Sequence, residues 1–370
     1  MSSAEQYLSE ALDAFDFGGE LVGAVRYGHG HINDTFVVHT QPGDDPCRRF
    51  ILQRISSAAF RHPEQVMANI VGVTRYLGER IAAAHGDPQR ETMSVWETKN
   101  GGSFYTDSEG SAWRCYPFIE GTVCLQKADT PELFAASGRA FGRFQRMLSG
   151  YPADTLYETI PRFHDTEDRL ARLLAAVEAD KMGRAGGVQP ELDFVLSRRD
   201  DCSVAMRALR EGSLPLRVTH NDTKLNNVLI DRGSGEAICV IDLDTVMPGL
   251  SINDFGDSIR FGANDNEEDE PDQTKVHFNL GLYEVYTKAF LEGAGGALTD
   301  AELDYLPWGA KLMTLECGIR FLTDYLEGDT YFHIQREGQN LDRARTQFTL
   351  VRGMEENWEA MRGIVDEYRK

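Results

Sequence analysis

Apolar and polar positions divide the chain into a first third with strand periodicity and a remainder with helical periodicity. Short apolar runs predict strands near 21–27, 35–39, 50–55, 93–96 and 112–118, interrupted by one helix over 63–84. Beyond them, Phe134, Phe141 and Leu148 recur every seven residues, which predicts a buried stripe on a helix from Pro131 to Leu148. Further helices are predicted near 165–181, 190–211, 274–292, 299–326 and 340–369.

This order of elements predicts an α+β fold with two lobes. Residues 1–117 form the expected small lobe, mainly antiparallel β, and residues 122–370 the expected large helical lobe. Residues 116–121 are the predicted hinge between them.

One β-hairpin is predicted inside the helical lobe. Its apolar runs, residues 228–230 and 238–241, flank a turn that contains Gly233 and Gly235. If the hairpin is centred between residues 234 and 235, Asn227 faces Asp242 at its open end. An amide oxygen and a carboxylate side by side suit Mg²⁺ that bridges nucleotide phosphates.

The loop that enters this hairpin carries further candidates for phosphoryl-transfer chemistry. Asp222 precedes Asn227 by five residues, and its carboxylate would accept a proton from a substrate hydroxyl. Lys224 would either stabilise charge on the transferred group or lie on the surface. Asp244 would be a second metal ligand or would support the first one, and His220 is expected to brace the loop.

Other motifs leave alternatives open. Asp254-Phe-Gly has the sequence of a kinase metal triplet, but the hairpin already supplies Asp242, so a structural brace is expected, with helix capping near Asp257 as one role. Gly28-x-Gly30 lacks the third glycine of a dinucleotide fingerprint and precedes a strand, which favours a loop folded over phosphates or substrate. In that loop, His31 is either a turn residue or a substrate contact.

Composition excludes several classes of function. The 370 residues are 41% hydrophobic and carry a formal charge of -21, which argues against binding nucleic acid or anionic membranes through a basic surface. No signal peptide or membrane-spanning stretch is recognisable, and the six cysteines are scattered. We therefore expect a cytoplasmic protein, which we take to be a monomer, with small-molecule partners.

Several motifs carry a family resemblance. His220-x-Asp222-x₄-Asn227 and Ile241-Asp242 resemble the aminoglycoside phosphotransferase and choline kinase group, relatives of protein kinases. This resemblance implies that the two-lobed α+β architecture is a protein-kinase-like fold. A more detailed set is similar to the bacterial N-acetylhexosamine 1-kinases. It comprises Tyr27-Gly-x-Gly-His31-Ile-Asn33, Arg162-Phe-His-Asp-Thr166, Leu216 to Asn227, Ile241-Asp-Leu-Asp-Thr-x-Met-Pro-Gly249, Asp254 to Gly262 and Glu316-Cys-Gly-x-Arg320 to Asp329.

That resemblance implies a kinase that uses ATP and Mg²⁺ to phosphorylate the anomeric hydroxyl of N-acetylglucosamine or N-acetylgalactosamine. Asp222 would be the catalytic base, and Asn227 and Asp242 the metal ligands. The implied substrate contacts are Asp222, His31, Arg320, Tyr331 and Phe261, and the implied nucleotide contacts are Gly28, Gly30, Gln53, Pro117 and Ile119.

Two points qualify the resemblance. Gln53 stands where most kinase relatives carry a phosphate-binding lysine, and strand alternation sends Arg54 to the opposite face. Arg320 follows Glu316 by four residues on a predicted helix, so an ion pair between them competes with a ligand role for the arginine. The alternative functions are a kinase for another small alcohol (aminoglycoside, choline or a different sugar) and an inactive binding protein.

Overall fold

A five-stranded antiparallel sheet forms the small lobe in the computed structural model, which describes residues 3–28 and 33–369. Its strand order is β1-β2-β3-β5-β4. The strands are β1 (Glu20–Arg26), β2 (Asp34–Gln41), β3 (Arg48–Arg54), β4 (Tyr105–Thr106) and β5 (Ala112–Pro117). Neighbouring strands pair antiparallel throughout, so β3 and β5 are adjacent although more than 50 residues of chain separate them.

Three helices accompany this sheet: α1 (Ser3–Ala14), α2 (Pro63–Ala83) and α3 (Pro88–Glu91). Helix α1, which the sequence pattern did not predict, buries Ala11 against Leu52 and Trp113 of the sheet. The strand predicted at residues 93–96 is wrong, because Trp96 forms only an isolated bridge with Cys115. Helix α2 begins at Pro63, as predicted, since proline suits a first helical turn.

The remaining chain is mainly helical, which confirms the predicted fold class. Its helices are α4 (Pro131–Leu148), α5 (Thr166–Ala179), α6 (Gln189–Leu196), α7 (Val204–Arg210), α8 (Ser251–Gly262), α9 (Leu280–Ala294), α10 (Asp300–Glu327), α11 (Gln339–Glu356) and α12 (Trp358–Tyr368). Phe134, Phe141 and Leu148 are buried on one side of α4, as their spacing predicts. None of the helices in the described ranges is both long and apolar enough to cross a membrane. The division at 117/122 remains a proposal.

Two long predicted helices are each broken in the structure. The segment 190–211 splits into α6 and α7 because Ser197–Ser203, a run of mostly polar residues, offers no apolar stripe to bury. The segment 340–369 breaks at Asn357, where φ and ψ leave the helical region. Beyond that break, the Trp358 ring packs edge-on against Trp308 at 5.0 Å.

More β structure accompanies the helices than the single predicted hairpin. Strands β8 (Val228–Asp231) and β9 (Ala237–Val240) form that hairpin, and β6 (Thr122–Cys124), directly after the hinge segment, pairs with β8. Strands β7 (Arg217–Thr219) and β10 (Met247–Gly249) form a separate antiparallel pair. The loop 220–227 therefore lies between two pieces of sheet, which fixes both of its ends.

A close helix crossing holds α8 against α10. A Cβ added at Gly256 of α8 would lie 2.2 Å from the carbonyl oxygen of Gly309 on α10, and a Cβ at Gly309 would lie 2.1 Å from the carbonyl oxygen of Ile252. Both positions therefore require glycine because the two backbones touch. The motif Asp254-Phe-Gly thus owes its glycine to helix packing.

We predict that Gly256→Ala destabilises the protein by about 1–3 kcal/mol, because α8 and α10 would have to move apart. Gly363→Ala is the matched control: this glycine lies on the exposed side of α12 with open space around its Cβ position. That change should stabilise the protein by about 0.5–1 kcal/mol through helix propensity. Urea unfolding measures both, and equal effects would contradict the crossing.

Candidate active site

The loop from His220 to Asn227 includes a strained residue that hydrogen bonds hold in place. Asn221 has a φ of 65°, in the left-handed region that asparagine tolerates better than most residues. Its side-chain oxygen accepts from the Thr219 hydroxyl at 2.9 Å, and its amide donates to the carbonyl of Thr245 at 2.8 Å. The asparagine is needed here because both ends of its side chain have partners.

The carboxylate of Asp254 holds this loop in place through hydrogen bonds. This carboxylate, which has no exposed surface, accepts the backbone N–H groups of His220 at 2.9 Å and Asn221 at 2.8 Å. The Gln145 side chain of α4 donates to it as well, at 2.6 Å. The expected structural brace is confirmed, whereas capping near Asp257 is wrong, because α8 already begins at Ser251.

His220 also braces the loop, as expected. Its ring is completely buried, packs edge-on against Phe141 at 5.5 Å and pairs through Nε2 with the carbonyl oxygen of Ile241 at 2.9 Å. That contact ties the loop to the segment just after β9. The histidine thereby fixes the distance between the two parts of the site that carry carboxylates.

The carboxylate of Asp222 lies at the surface of the cleft between two donors. Oδ1 pairs with the Lys224 ammonium at 2.8 Å, and Oδ2 accepts from the Asn227 amide at 3.0 Å. Burial opposes ionisation, but the charge of Lys224 and the hydrogen bond from Asn227 outweigh it and lower the pKa of Asp222. The carboxylate therefore stays ionised and able to orient a hydroxyl. Lys224 lies beside it, and its role in transfer stays a prediction.

The hairpin register differs from the predicted one by one residue. Val228 faces Val240, and the amide of Ile241 donates to the carbonyl of Asn227 at 2.9 Å. Asn227 therefore faces Ile241, and the prediction that it faces Asp242 is wrong. The cause lies in the turn, where Asp231 pairs with Glu236 and not with residue 238, as the predicted register requires. An irregularity in the ladder between Leu229 and Ile230 then reduces this difference from two residues to one.

Asp242 lies just beyond the paired strands, in a left-handed conformation with a φ of 59°. The side chain of Asp242 is exposed to solvent in the cleft, although protein closely surrounds the floor of the cleft where it lies. Desolvation, followed by the negative charges of Asp244 and Asp222, raises the pKa of Asp242 to about 7. Within the described residues, no protein donor reaches the carboxylate of Asp242, so it has no cationic partner, unlike that of Asp222.

These residues fit a hard divalent cation. The amide of Asn227 donates both available N–H groups to Asp222, which leaves its oxygen free to act as a ligand. Over residues 3–28 and 33–369, no three His, Cys, Asp or Glu side chains form a metal-binding group. Asp242 and Asn227 would thus provide two ligands, and phosphate oxygens and water would complete the shell, as Mg²⁺ prefers in nucleotide sites.

Asp244 has protein partners of its own. The guanidinium of Arg114, from β5, pairs with one carboxylate oxygen, and the Asn33 amide donates to the other at 2.7 Å. Sequence reasoning named Asp244 but missed Arg114, whose side chain is 1% exposed. The only signal in the sequence was the position of Arg114 in a predicted strand, on which every second side chain points toward the cleft.

Gln53 is engaged with the same arginine. Its carbonyl oxygen accepts from Nε and Nη2 of Arg114 at 3.0 and 2.9 Å, and its amide donates to the Thr35 hydroxyl at 3.0 Å. Arg54 points away and pairs with Asp34, as strand alternation predicts. Contact between Gln53 and a nucleotide stays a prediction.

The hinge segment forms one side of the expected nucleotide site. Within the described chain, the Ile119 amide has no acceptor, so it is available to a base, whereas the Ile119 carbonyl accepts from Thr122. Phe118, which sequence reasoning missed, lies under the Arg49 guanidinium at 3.9 Å and edge-on to Tyr27 at 5.9 Å. Pro117 ends β5 beside it.

The glycine-rich turn is described only in part. Gly28 has a φ of 79°, a conformation that favours glycine and supports the predicted loop. Gly30 and His31 lie outside the described residues, so their predicted contacts stay predictions. Asn33, at the start of the described part beyond them, reaches Asp244.

Tyr331, one of the predicted acceptor contacts, lies beside Arg320 together with two further aromatic rings. The Arg320 guanidinium carbon lies 5.6 Å from the Phe163 ring, 5.8 Å from Tyr331 and 5.5 Å from Phe332. In the described part of the chain it has no salt bridge, while the Tyr331 ring is 71% exposed and open to a ligand. Phe261 is half-buried in the last turn of α8, and its contact with substrate stays a prediction.

The competing ion pair between Glu316 and Arg320 does not form. Glu316 is buried and pairs instead with His164 Nδ1 at 3.0 Å and with the Thr166 hydroxyl at 2.9 Å. Burial opposes its ionisation, but the hydrogen bond and charge of His164 lower the pKa of Glu316. The other ring nitrogen of His164 meets the carbonyl oxygen of Asn221 at 3.1 Å, so α10 is connected to the catalytic loop.

A family model described as "Phosphotransferase enzyme family" matches residues 23–288, which is more than half of the chain and includes the loop, the hairpin and α8.

Solved structures share the fold. An amicoumacin kinase in complex with AMP-PNP, Ca²⁺ and Ami has a TM-score of 0.59 at 17% identity, covering 94% of this chain and 93% of its own. A microcompartment-associated aminopropanol kinase has a TM-score of 0.57 at 15% identity, with 96% and 98% covered. Choline kinase from Cryptosporidium parvum Iowa II gives 0.54 at 15%, with 94% and 92% covered.

The crowding of carboxylates around Asp242 predicts that the stability of the folded protein depends on pH. The folded Asp242 titrates near pH 7 rather than near 3.8, so the folded protein binds the extra proton, and stability falls as pH rises from about 4 to 7. In magnesium-free buffer at pH 8, Asp242→Asn should therefore stabilise the protein by about 1 kcal/mol, a value reduced for the side chain's exposure. Urea unfolding measures it.

Asp244→Asn is the matched control, because it removes a carboxylate that has a cationic partner. This change should destabilise the protein at the same pH, since Arg114 would be left buried without its counter-ion. Added Mg²⁺ should stabilise the wild type more than Asp242→Asn. A wild type that is as stable as Asp242→Asn at pH 8 would contradict the predicted repulsion.

Proposed function

This chain belongs to the phosphotransferase enzyme family, and from that premise we propose that it is an ATP- and Mg²⁺-dependent kinase that phosphorylates the anomeric hydroxyl of N-acetylhexosamines. The observation that carries the proposal is the convergence of an ionised Asp222, an Asn227 oxygen and an unpaired Asp242 on one cleft floor. The motifs around His31, Arg320 and Tyr331 carry the choice of sugar.

The reaction would be a direct in-line transfer of the γ-phosphoryl group to the sugar O1. Asp222 would accept a hydrogen bond from the anomeric hydroxyl and take its proton as the new P–O bond forms and the bond to ADP breaks. Lys224 would hold Asp222 ionised before transfer. Bound Mg²⁺ would neutralise phosphate charge, and Asp242 and Asn227 are the residues that would hold it.

Arg320 supports a sugar as the acceptor. Its guanidinium is held among aromatic rings with donors that no described carboxylate uses, an arrangement suited to the hydroxyl and carbonyl oxygens of a neutral ligand. The exposed face of Tyr331 would pack on the sugar ring. His31 would add a contact from the glycine-rich turn.

A cationic alcohol is the second candidate, favoured by the aromatic rings of Phe163, Tyr331 and Phe332, which could enclose an ammonium group. Arg320 already occupies that position, however. The guanidinium charges of Arg320 and of Arg169 beside it would repel the cations of choline and aminoglycosides. An inactive binding protein is the third candidate, and the retained base and metal-ligand types argue against it.

The test is a kinetic panel with ATP and Mg²⁺. N-acetylglucosamine and N-acetylgalactosamine should release ADP, whereas kanamycin and choline should not, and NMR of the product should place phosphate on O1. ADP release with choline alone would refute the sugar proposal. Tight sugar binding without ADP release would favour the inactive protein.

Asp222→Asn should lower kcat by about 10²- to 10⁴-fold with little change in ATP affinity, because the base would be lost and the nucleotide contacts kept. Asp129→Asn, an exposed position in the large lobe, is the control and should leave kcat unchanged. Steady-state kinetics measure both. Near-normal turnover by Asp222→Asn would remove Asp222 from the role of base.

Arg320→Lys should raise KM for N-acetylhexosamine by roughly 10- to 100-fold and leave KM for ATP unchanged, because lysine keeps the charge and loses the planar donors. Arg352→Gln is the matched control: this arginine also lies over an aromatic ring, Phe194, at 5.0 Å, but on α11 away from the cleft. An unchanged sugar KM for Arg320→Lys would overturn the contact.

A further inference from the structure

The cleft-facing side of the small sheet carries a cation on β5 instead of β3. Gln53 on β3 and Arg114 on β5 are direct partners in the ladder, so their side chains lie side by side on one face. Most kinases place a lysine at the β3 position to hold the nucleotide phosphates. In this chain the neighbouring strand supplies the positive charge.

Arg114 is committed to protein partners. Two of its nitrogens donate to the Gln53 carbonyl oxygen, at 3.0 and 2.9 Å, and a third pairs with Asp244. Gln53 is itself held by Thr35, so the guanidinium is fixed in orientation. With only 1% of the Arg114 side chain exposed, a phosphate entering the cleft would have to displace one of these partners to reach it.

The pair with Asp244 crosses from the small lobe to the metal-binding segment. Asp244 lies two residues after Asp242, in the 3₁₀ turn Leu243–Thr245, and is 4% exposed. Its second oxygen accepts from Asn33, whose own side-chain oxygen accepts the Ser56 amide at 3.0 Å. Two anchors from the small sheet therefore hold this turn, and both act on one carboxylate.

The orientation of Asp242 depends on that turn. Asp242 has a left-handed backbone conformation, and within the described residues nothing donates to its carboxylate. Its direction is therefore set by the chain on both sides: Ile241, which is bonded to His220, and the turn that follows. Partners that orient a metal ligand affect metal affinity even without touching the metal.

We propose that Arg114 is a positioning residue that holds the Asp242 segment through Asp244 and thereby sets the affinity for the magnesium–nucleotide complex. The inference rests on the proposed nucleotide and metal site and does not depend on which acceptor is used. In this proposal the Arg114 guanidinium acts on the metal-binding turn and forms no direct bond to phosphate.

Isothermal titration of ADP, with Mg²⁺ varied and no acceptor present, tests this in the full chain. Arg114→Gln and Asp244→Asn should each raise the Mg²⁺ concentration for half-maximal ADP binding by about 10- to 100-fold. The double variant should need no higher Mg²⁺ concentration than the more strongly affected single variant, because both changes break the same pair. Arg114→Lys should recover part of the effect by keeping the charge.

A direct phosphate contact would give a different pattern. Arg114→Gln would then weaken ADP binding equally with and without Mg²⁺, Asp244→Asn would not, and the inference would be overturned. Unchanged Mg²⁺ dependence in folded Arg114→Gln would also overturn it. Arg217→Gln is the matched control, because Arg217 also pairs with a buried carboxylate, Glu302, but bonds to neither Asp242 nor Asp244, and its loss should lower stability only.

The kinetics separate this inference from the proposed function. The same variants should raise KM for ATP and leave KM for the sugar unchanged, since the acceptor site is not involved. If the wild type phosphorylates no N-acetylhexosamine but its ADP binding keeps the dependence on Arg114, the acceptor proposal fails and the inference stands. If the wild type binds ADP without any effect of Mg²⁺, the inference fails.

Discussion

The carboxylate of Asp254 accepts three N–H groups with no exposure to water, and the geometry of the site depends on it. Two of those N–H groups belong to the loop 220–227, which contains Asp222, and the third comes from α4. A buried carboxylate that lacked such donors would be strongly destabilising, so loop, α4 and α8 are stable only in this arrangement. The close crossing at Gly256 then fixes α8 itself against α10.

The parts of the site that are local in sequence could be predicted. Asp222 and Asn227 belong to one short loop, so their spacing alone brings them together, and the structure places the Asn227 amide on the Asp222 carboxylate. The bracing roles of His220 and Asp254 followed from the same local pattern. The hairpin register was wrong because turn closure and a ladder irregularity depend on backbone details that apolar runs do not encode.

The parts that depend on distant pairing could not be predicted. Arg114 and Asp244 are 130 residues apart, and nothing in either local pattern identifies its partner. Helix α1 was missed because its apolar residues become informative only when a sheet face is there to receive them. Arg320 had a local partner at helical spacing, Glu316, but a histidine from a distant loop took that carboxylate instead.

The tie between Arg114 and Asp244 changes which parts of the molecule move together. Asp222 and the turn after Asp242 belong to one unit of the large lobe, because the loop 220–227 bonds to Ile241 and Thr245 on either side of that turn. The Arg114–Asp244 pair joins this unit to the small sheet. A rotation about residues 116–121 would therefore have to stretch or break this pair, so opening the cleft would cost the buried guanidinium its counter-ion, and closing the cleft would restore it.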